Sequence, residues 1–324
     1  MFQYQSFDDA PGMVDSRAKL DAFKLPELRG KSFFDVACNE GYYCGAALQQ
    51  GASRVVGLDS HKGFLVRAKQ RFPAADFICQ SWNSLPDNKF DVVLFASALH
   101  YIRTEEKITE HLTRLRDCLA PGGVLVLEAG VMPGLGAALT EHKRSDGSVI
   151  FYPTFRLLEE MLREAGLAYR FMGYSEPEDR VPRRVMHCRI RKPSVLFLTG
   201  DTCHGKTSMS LAVCDYDYDR YICVDVIGQD AFRKRYPEIP FDPLQTNGVL
   251  ELFYRAPDGA AYMADCLAAE IREIADEAGR KAVIVDGLDA SREGFRDVLR
   301  ETVSRLGDEF VVWTAGISHQ APPS

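Results

Sequence analysis

Gly200-x-x-x-x-Gly205-Lys206-Thr207 stands directly after the apolar run SVLFLTG and opens the segment KTSMSLAV, which has helical period. Glycines at those two positions free backbone N–H groups to cradle phosphate oxygens. The lysine adds charge at the outer phosphates, and a threonine hydroxyl can ligate magnesium. His204 and Ser208, inside and just beyond the loop, join the expected nucleotide contacts. The pattern predicts a site for ATP and magnesium (Mg2+) in which Lys206 also serves catalysis and Thr207 and Asp286 hold the metal. Asp225, at the end of YICVDV, is placed to take the proton of an acceptor hydroxyl, and Asp286, closing KAVIVDG, to orient magnesium through water. Arg233 and Arg235, in QDAFRKRYP, are open to two readings: a clamp on an acceptor or phosphate, or exposed helix charges.

A second constellation lies earlier, in FFDVACNEGYYCGAALQQGASRVVGLD. A strand ending near Asp35 leads into a loop of small residues, Ala37, Cys38, Asn39 and Gly41. A helix and a second strand ending at Asp59 and Ser60 follow. Small residues let the backbone approach a ligand, and an acid at the end of the second strand accepts hydrogen bonds from vicinal ribose hydroxyls. The loop reads A-x-N-x-G where a dinucleotide site asks for G-x-G-x-x-G, so an uncharged nucleoside ligand fits better than a pyrophosphate.

This stretch resembles the class I methyltransferases, in particular the subgroup written D-x-G-C-N-x-G-Y. That subgroup includes tRNA wobble-uridine modifying enzymes and several sugar and polysaccharide methyltransferases. The resemblance covers roughly residues 1–190 and extends to FDVVLFASALHYI, LAPGGVLVLEAG and YPTFRLLEEMLREAGL. It implies S-adenosyl-L-methionine as cofactor, with Asp35 at the methionine end, Asp59 at the ribose, and Gln80, Ser81 and Trp82 at the adenine; Ser97 is counted with these cofactor contacts. Ala37 stands where the subgroup usually has glycine. The alternatives are an NAD site and a Rossmann-like relic that no longer binds. His100, with Tyr101 beside it, is a candidate catalytic residue and equally a packing residue. His142, Lys143 and Arg144 form a basic trio suited to an anionic acceptor or a solvated loop, and Arg17 belongs either to a lid over the cofactor carboxylate or to a surface ion pair. The later loop resembles small-molecule kinases of the adenylylsulfate and gluconate kinase type.

The elements that must carry these residues alternate along the chain. Strand-like runs at 33–37, 54–59, 76–80, 91–96 and 124–129 are separated by helical segments, the signature of a parallel sheet covered on both faces. FRLLEEMLREAGL predicts an amphipathic helix, and AYRFMGYSE with RRVMHCRI predicts a closing antiparallel pair. After a seam at Arg189–Pro193, runs at 194–200, 221–226, 281–287 and 309–316 repeat the alternation. The fold class is α/β, with two doubly wound domains: a methyltransferase-like domain over 1–190 and a P-loop, kinase-like domain over 193–324.

At 324 residues the chain is long enough for two such cores. No run reaches the roughly 18 apolar residues of a membrane span, and the N-terminus lacks a basic region followed by an apolar one, so a cytoplasmic protein is expected. The nine scattered cysteines include no C-x-x-C pair, which predicts reduced thiols and no thiolate metal site. The net charge of −7 opposes an extended phosphate-neutralising surface, and nucleic acid is therefore expected to be a weak partner. Oligomeric state is not legible. Together these readings predict a bifunctional enzyme that transfers a methyl group from S-adenosylmethionine and a phosphoryl group from ATP. Both would go to one small-molecule or glycan acceptor, such as a sugar or polysaccharide terminus. The alternatives are a tRNA-modifying methyltransferase and a methyltransferase governed by a nucleotide-binding switch domain.

Overall fold

The computed structural model describes residues 3–144, 146–178, 181–200, 206–213, 220–240, 246–277, 282–289 and 292–317. It divides the chain into two compact units, Met1–Arg191 and Lys192–Ser324. No helix among the described residues is long and apolar enough to cross a membrane.

The first unit is built on β1 (Ser32–Val36), β2 (Arg54–Asp59), β3 (Asp76–Cys79), β4 (Phe90–Ala96) and β5 (Leu119–Gly130), all parallel, followed by β8 (Leu167–Glu178) and β9 (Val181–Ile190). The sheet order is β3-β2-β1-β4-β5-β9-β8, with β9 antiparallel to both neighbours. Successive strand residues face opposite sides. Phe33, Val55, Leu94 and Val126 therefore enter one core and Phe34, Val56, Phe95 and Leu127 the other. The helices α1 (Ser16–Phe23), α2 (Tyr42–Gln49), α3 (Lys62–Arg71), α4 (Glu105–Asp117) and α5 (Phe155–Glu164) complete the unit. Side chains of Thr104 and Thr154 cap α4 and α5, as expected of a β-region threonine with an unpaired helix N–H in reach.

Three features depart from the sequence reading. β5 begins at Leu119, ahead of the expected run, because Pro121–Gly123 form an irregularity with a register shift and Gly122 at φ 76°. The residues expected as a basic loop include a strand: β6 (Leu139–Lys143) pairs antiparallel with β7 (Val149–Pro153), so His142 and Lys143 lie on β6 and Arg144 in the turn. In the second unit, the run expected as a strand through Val226 ends at Cys223.

That unit holds β10 (Ser194–Gly200), α6 (Lys206–Val213), β11 (Tyr221–Cys223), α7 (Val224–Arg235), α8 (Thr246–Arg255), α9 (Gly259–Glu277), β12 (Val283–Leu288), α10 (Glu293–Leu306) and β13 (Val311–Ile317). Its parallel sheet has the order β11-β12-β10-β13.

Candidate functional site

The strand order of the first unit reverses between β1 and β4, and the crevice at the carboxyl ends there is where open α/β sheets bind ligands. Three non-glycine residues with left-handed backbone gather at this crevice: Ala37 at φ 64°, Asn39 at φ 52° and Ser97 at φ 55°. Such conformations persist only where surrounding contacts hold them. The Cys38 N–H donates to the Leu58 carbonyl at 2.9 Å, and the Asn39 N–H to Asp59 Oδ2 at 2.9 Å. Asp59 Oδ1 accepts the His61 N–H at 2.8 Å, so the half-buried carboxylate is locked in orientation at the end of β2. Buried Gln5, absent from the sequence-derived set, straps the loop from outside: its side chain accepts the Tyr42 N–H at 3.1 Å and donates to the Cys38 carbonyl at 3.3 Å.

Asp35 lies beneath this loop, 2% exposed, with the Cys44 thiol against Oδ2 at 3.8 Å. Burial, and then the nearby Asp59 charge, push its carboxyl well above the usual carboxylate range. A cationic ligand group arriving at the loop would restore the charge of Asp35, so this donor set suits an amino-acid ammonium.

At the end of β4, buried Glu128 of β5 collects an unanticipated network. Ser97 donates its N–H at 2.8 Å and its hydroxyl at 3.0 Å, and Ser175 its hydroxyl at 2.6 Å. Lys19 of α1 and Arg183 of β9 both pair with Glu128 at 3.3 Å, and Lys19 also donates to Ser97 Oγ at 2.7 Å. The network holds the strained Ser97 turn. α1 thus contributes Lys19, not the expected Arg17, which is exposed on the same helix.

Ser60, Gln80 and Ser81 are exposed at the ends of β2 and β3, and Gln80 donates its N–H to the Asp59 carbonyl at 3.0 Å. Trp82 is half-buried, edge-on to Phe95 and near-parallel to Tyr101. His100 is 2% exposed, between the rings of Tyr101 at 4.3 Å and Tyr152 at 5.7 Å, with Arg144 Nη2 3.5 Å from its Nε2. This is packing geometry, a correction to its expected catalytic role: the ring has almost no free surface to offer a substrate. Of the basic trio, Arg144 also reaches the Tyr101 hydroxyl at 3.3 Å, while Lys143 is exposed on β6.

Left-handed backbone costs a residue with a Cβ about 1–2 kcal/mol, an amount partly offset in an Ala-to-Gly change by the larger chain entropy of glycine. Ala37→Gly is therefore expected to stabilise the first unit by no more than about 1 kcal/mol. Urea unfolding checks the sign, and a loss of stability would show that packing of the Ala37 methyl outweighs the strain.

In the second unit, Gly200 has φ 145°, and a Cβ there would lie 2.4 Å from the Ile317 carbonyl oxygen, so only glycine fits. Lys206 donates to the Gly200 carbonyl at 2.8 Å and opens α6, followed by exposed Thr207 and Ser208. His204 and Gly205 lie outside the described residues. Asp286, on the strand beside β10, is 1% exposed and accepts from the Tyr221 hydroxyl at 2.9 Å; its Oδ2 has no partner among the described residues. Asp225 falls in the first turn of α7, a correction to its expected place at a strand end. Its Oδ1 is likewise buried without a partner among the described residues, and burial followed by the Asp286 charge raises its carboxyl against an opposing pull from Lys206. Arg233 and Arg235 sit in the last turn of α7, about 12–15 Å along the helix from Asp225, and pair with Asp230 and Asp258. That separation removes them from an acceptor clamp. No group of three or more His, Cys, Asp or Glu side chains arranged for a metal occurs among the described residues.

Residues 34–127 match the family model described as a methyltransferase domain. The first unit thus contains a class I S-adenosylmethionine-dependent methyltransferase domain. The chain is 36% identical over 152 residues to the tRNA U34 carboxymethyltransferase of Pseudomonas aeruginosa strain LESB58, covering 44% of this chain and 46% of that protein. It is 34% identical over 150 residues to the tRNA U34 carboxymethyltransferase of Azotobacter vinelandii strain DJ, covering 43% and 46%. The chain spans about half the length of these relatives. Among solved structures, an S-adenosylmethionine dependent methyltransferase from Mesorhizobium loti is 22% identical with a TM-score of 0.46, covering 54% of this chain and 99% of that one. A 1,6-didemethyltoxoflavin-N1-methyltransferase from Burkholderia thailandensis is 20% identical with a TM-score of 0.46, covering 55% and 80%.

Proposed function

We propose that the methyltransferase domain binds S-adenosylmethionine at the carboxyl ends of β1, β2 and β4 and alkylates a tRNA nucleobase. The observation that carries the cofactor reading is the left-handed loop Ala37–Gly41 tied to an oriented Asp59 carboxylate at the switch point of the sheet. The acceptor reading rests on the tRNA-modifying relatives, which support it better than the sugar or polysaccharide acceptor suggested by the fused kinase-like loop. Their printed activity also stands against the expectation that the acidic net charge makes nucleic acid a weak partner.

When bound, S-adenosylmethionine supplies an electrophilic carbon on a sulfonium. The chain's residues then have separable tasks. Asp59 accepts ribose hydroxyls, Asp35 faces the ammonium end, and the Ser97 turn held by Glu128 lines the path to the acceptor. In-line transfer of this kind depends mainly on alignment.

Removing one oriented charged acceptor costs about 1.5–3 kcal/mol, so Asp59→Ala is expected to weaken S-adenosylmethionine binding about 10–100-fold in calorimetry. Unchanged affinity removes Asp59 from the site, and no binding by the wild type overturns the cofactor reading. Nucleoside mass spectrometry of tRNA incubated with protein and cofactor tests the acceptor: a modified uridine is expected, and its mass distinguishes methyl from carboxymethyl. Unmodified tRNA alongside a modified small molecule would overturn the tRNA assignment.

A second reading concerns the other unit, where Gly200, Lys206 and a buried Asp286 on the neighbouring strand form the frame of a Mg·ATP site. Asp225, at the start of α7, is then available to take an acceptor's proton. A ligand that binds only the native state raises thermal stability by mass action. Mg·ATP is expected to raise the melting temperature of the wild type, and Lys206→Ala to lose most of that shift. Equal shifts in both would remove Lys206 from the site.

A further inference from the structure

The helix α4 exposes a cluster that the cofactor site does not use. Lys107, Glu110, His111 and Arg114 are spaced i, i+3, i+4 and i+7, so they share one face. That face, with Trp82, Asn83 and Tyr101, lines a cavity of about 370 Å3. A second cavity of about 540 Å3 shares Asn83 and Arg114 with it, and the two form a continuous groove.

The floor of the first cavity is His111, 3% exposed, whose two ring nitrogens have no hydrogen-bond partner among the described residues. Its ring contacts Phe95 at 4.7 Å and faces Trp82 at 6.1 Å. A buried polar group without a partner costs about 1–3 kcal/mol. Apolar side chains fill the same helix face at Ile108, Leu112 and Leu115, so packing alone would be better served by leucine. The wall offers an aromatic surface, Trp82, near-parallel to a Tyr101 that is 50% exposed. The mouth carries cations. Arg103 and Lys107 are exposed, Arg114 is held by Glu110 and by the Asn83 carbonyl at 2.7 Å, and Arg144 lies 5.8 Å from the Tyr101 ring centre.

We infer that this groove is a nucleotide subsite for single-stranded RNA, in which one base stacks on Trp82 and is hydrogen-bonded by His111 while Arg103 and Lys107 hold its phosphates. The chemistry is that of single-strand recognition: a π surface of any base meets an aromatic platform, and a basic rim tracks the backbone. The inference rests on the tRNA reading proposed above and deepens it, since the subsite would hold a nucleotide flanking the one modified. A neutral imidazole both donates and accepts, which suits the edge of a pyrimidine or purine equally. The local patch also reconciles an RNA acceptor with a chain of net charge −7, because a polyanion responds to the charge beneath it and less to the distant sum.

The chain has two tryptophans, and Trp313 is 61% exposed in the second unit. In full-length Trp313→Phe protein, Trp82 is the sole tryptophan, and its emission reports directly on the groove. Titration with a single-stranded oligouridylate is expected to quench it saturably. His111→Leu should bind about tenfold more weakly with no loss of thermal stability. Lys107→Glu, on the surface, should weaken binding and lower the slope of log affinity against log salt by about 0.7. Absence of quenching, or wild-type affinity in His111→Leu, overturns the subsite. Transfer of the alkyl group to tRNA is measured in parallel. Transfer at the wild-type rate in both variants overturns the subsite while leaving the tRNA reading intact; saturable, His111-dependent quenching without transfer supports the subsite and counts against that reading.

Discussion

Glu128→Gln is expected to cost the first unit about 3–5 kcal/mol, measured as a fall in its urea midpoint followed through Trp82 in the Trp313→Phe background. Glu128 and Arg183 are fully buried and Lys19 is 2% exposed, so the carboxylate offsets charges that have no water to turn to. Glutamine keeps the shape and one carbonyl oxygen, but it removes the negative charge and turns N–H groups toward cations. Breaking a buried pair in this way is more damaging than replacing the whole network with apolar residues. The pH dependence follows the same logic. Burial raises the Glu128 carboxyl, but Lys19, Arg183 and the two serine hydroxyls outweigh it, and the net result is a value below the usual one. A folded value below the unfolded value of about 4.3 means that the stabilisation is present above pH 4.3 and is lost as pH falls through the folded value. The variant should lack that acid-dependent component. A loss under about 1 kcal/mol, against the expected cost of breaking a buried pair, would show that Lys19 and Arg183 do not depend on Glu128.

The second large effect is an acid destabilisation that begins at a higher pH and comes from His111. Burial, and then the Arg114 charge, lower this imidazole from 6.5 to about 4. The unfolded chain binds the proton first, so folded stability is complete above pH 6.5 and declines between 6.5 and about 4. At about 1.4 kcal/mol per pH unit the full loss is about 3 kcal/mol. His111→Leu removes the group, so unfolding free energies of wild type and variant should diverge steadily as the pH is lowered from 6.5 to 4.5. That window lies above the one in which Glu128 acts, which keeps the two effects apart. Parallel curves would show that His111 is protonated in the folded state without cost.

Much of the scaffold was legible because its signals are local. The runs that became β1 to β4 alternate with helical segments, and their residue types report burial on both faces irrespective of what they touch. The loop Asp35–Gly41 announced itself by small residues between a strand and a helix. The β6–β7 hairpin was also written locally, in Asp146-Gly147 between alternating residues, with Gly147 at φ 85°, but the basic trio drew the reading toward a loop. At YICVDV the local signal misleads: an apolar run suits a buried strand or a buried helix start, and packing of Val224 and Ala231 against the core decides for α7 from Val224 onward.

What the sequence by itself determined is the order of the elements and the chemistry of the two loops, since hydrophobic period and turn residues act over a few positions. The assembly of side chains around those loops was decided only by tertiary structure. Arg183 and Glu128 are 55 residues apart, and Lys19 and Ser97 are 78 apart; no spacing rule relates them until four elements converge. His111 reads as an ordinary polar residue in an amphipathic helix, and only the approach of Trp82 and Phe95 strips it of water. The net charge of −7 is likewise a sum over the chain, while the rim of Arg103, Lys107 and Arg114 is a local field, and local fields are what a screened solution lets a ligand feel.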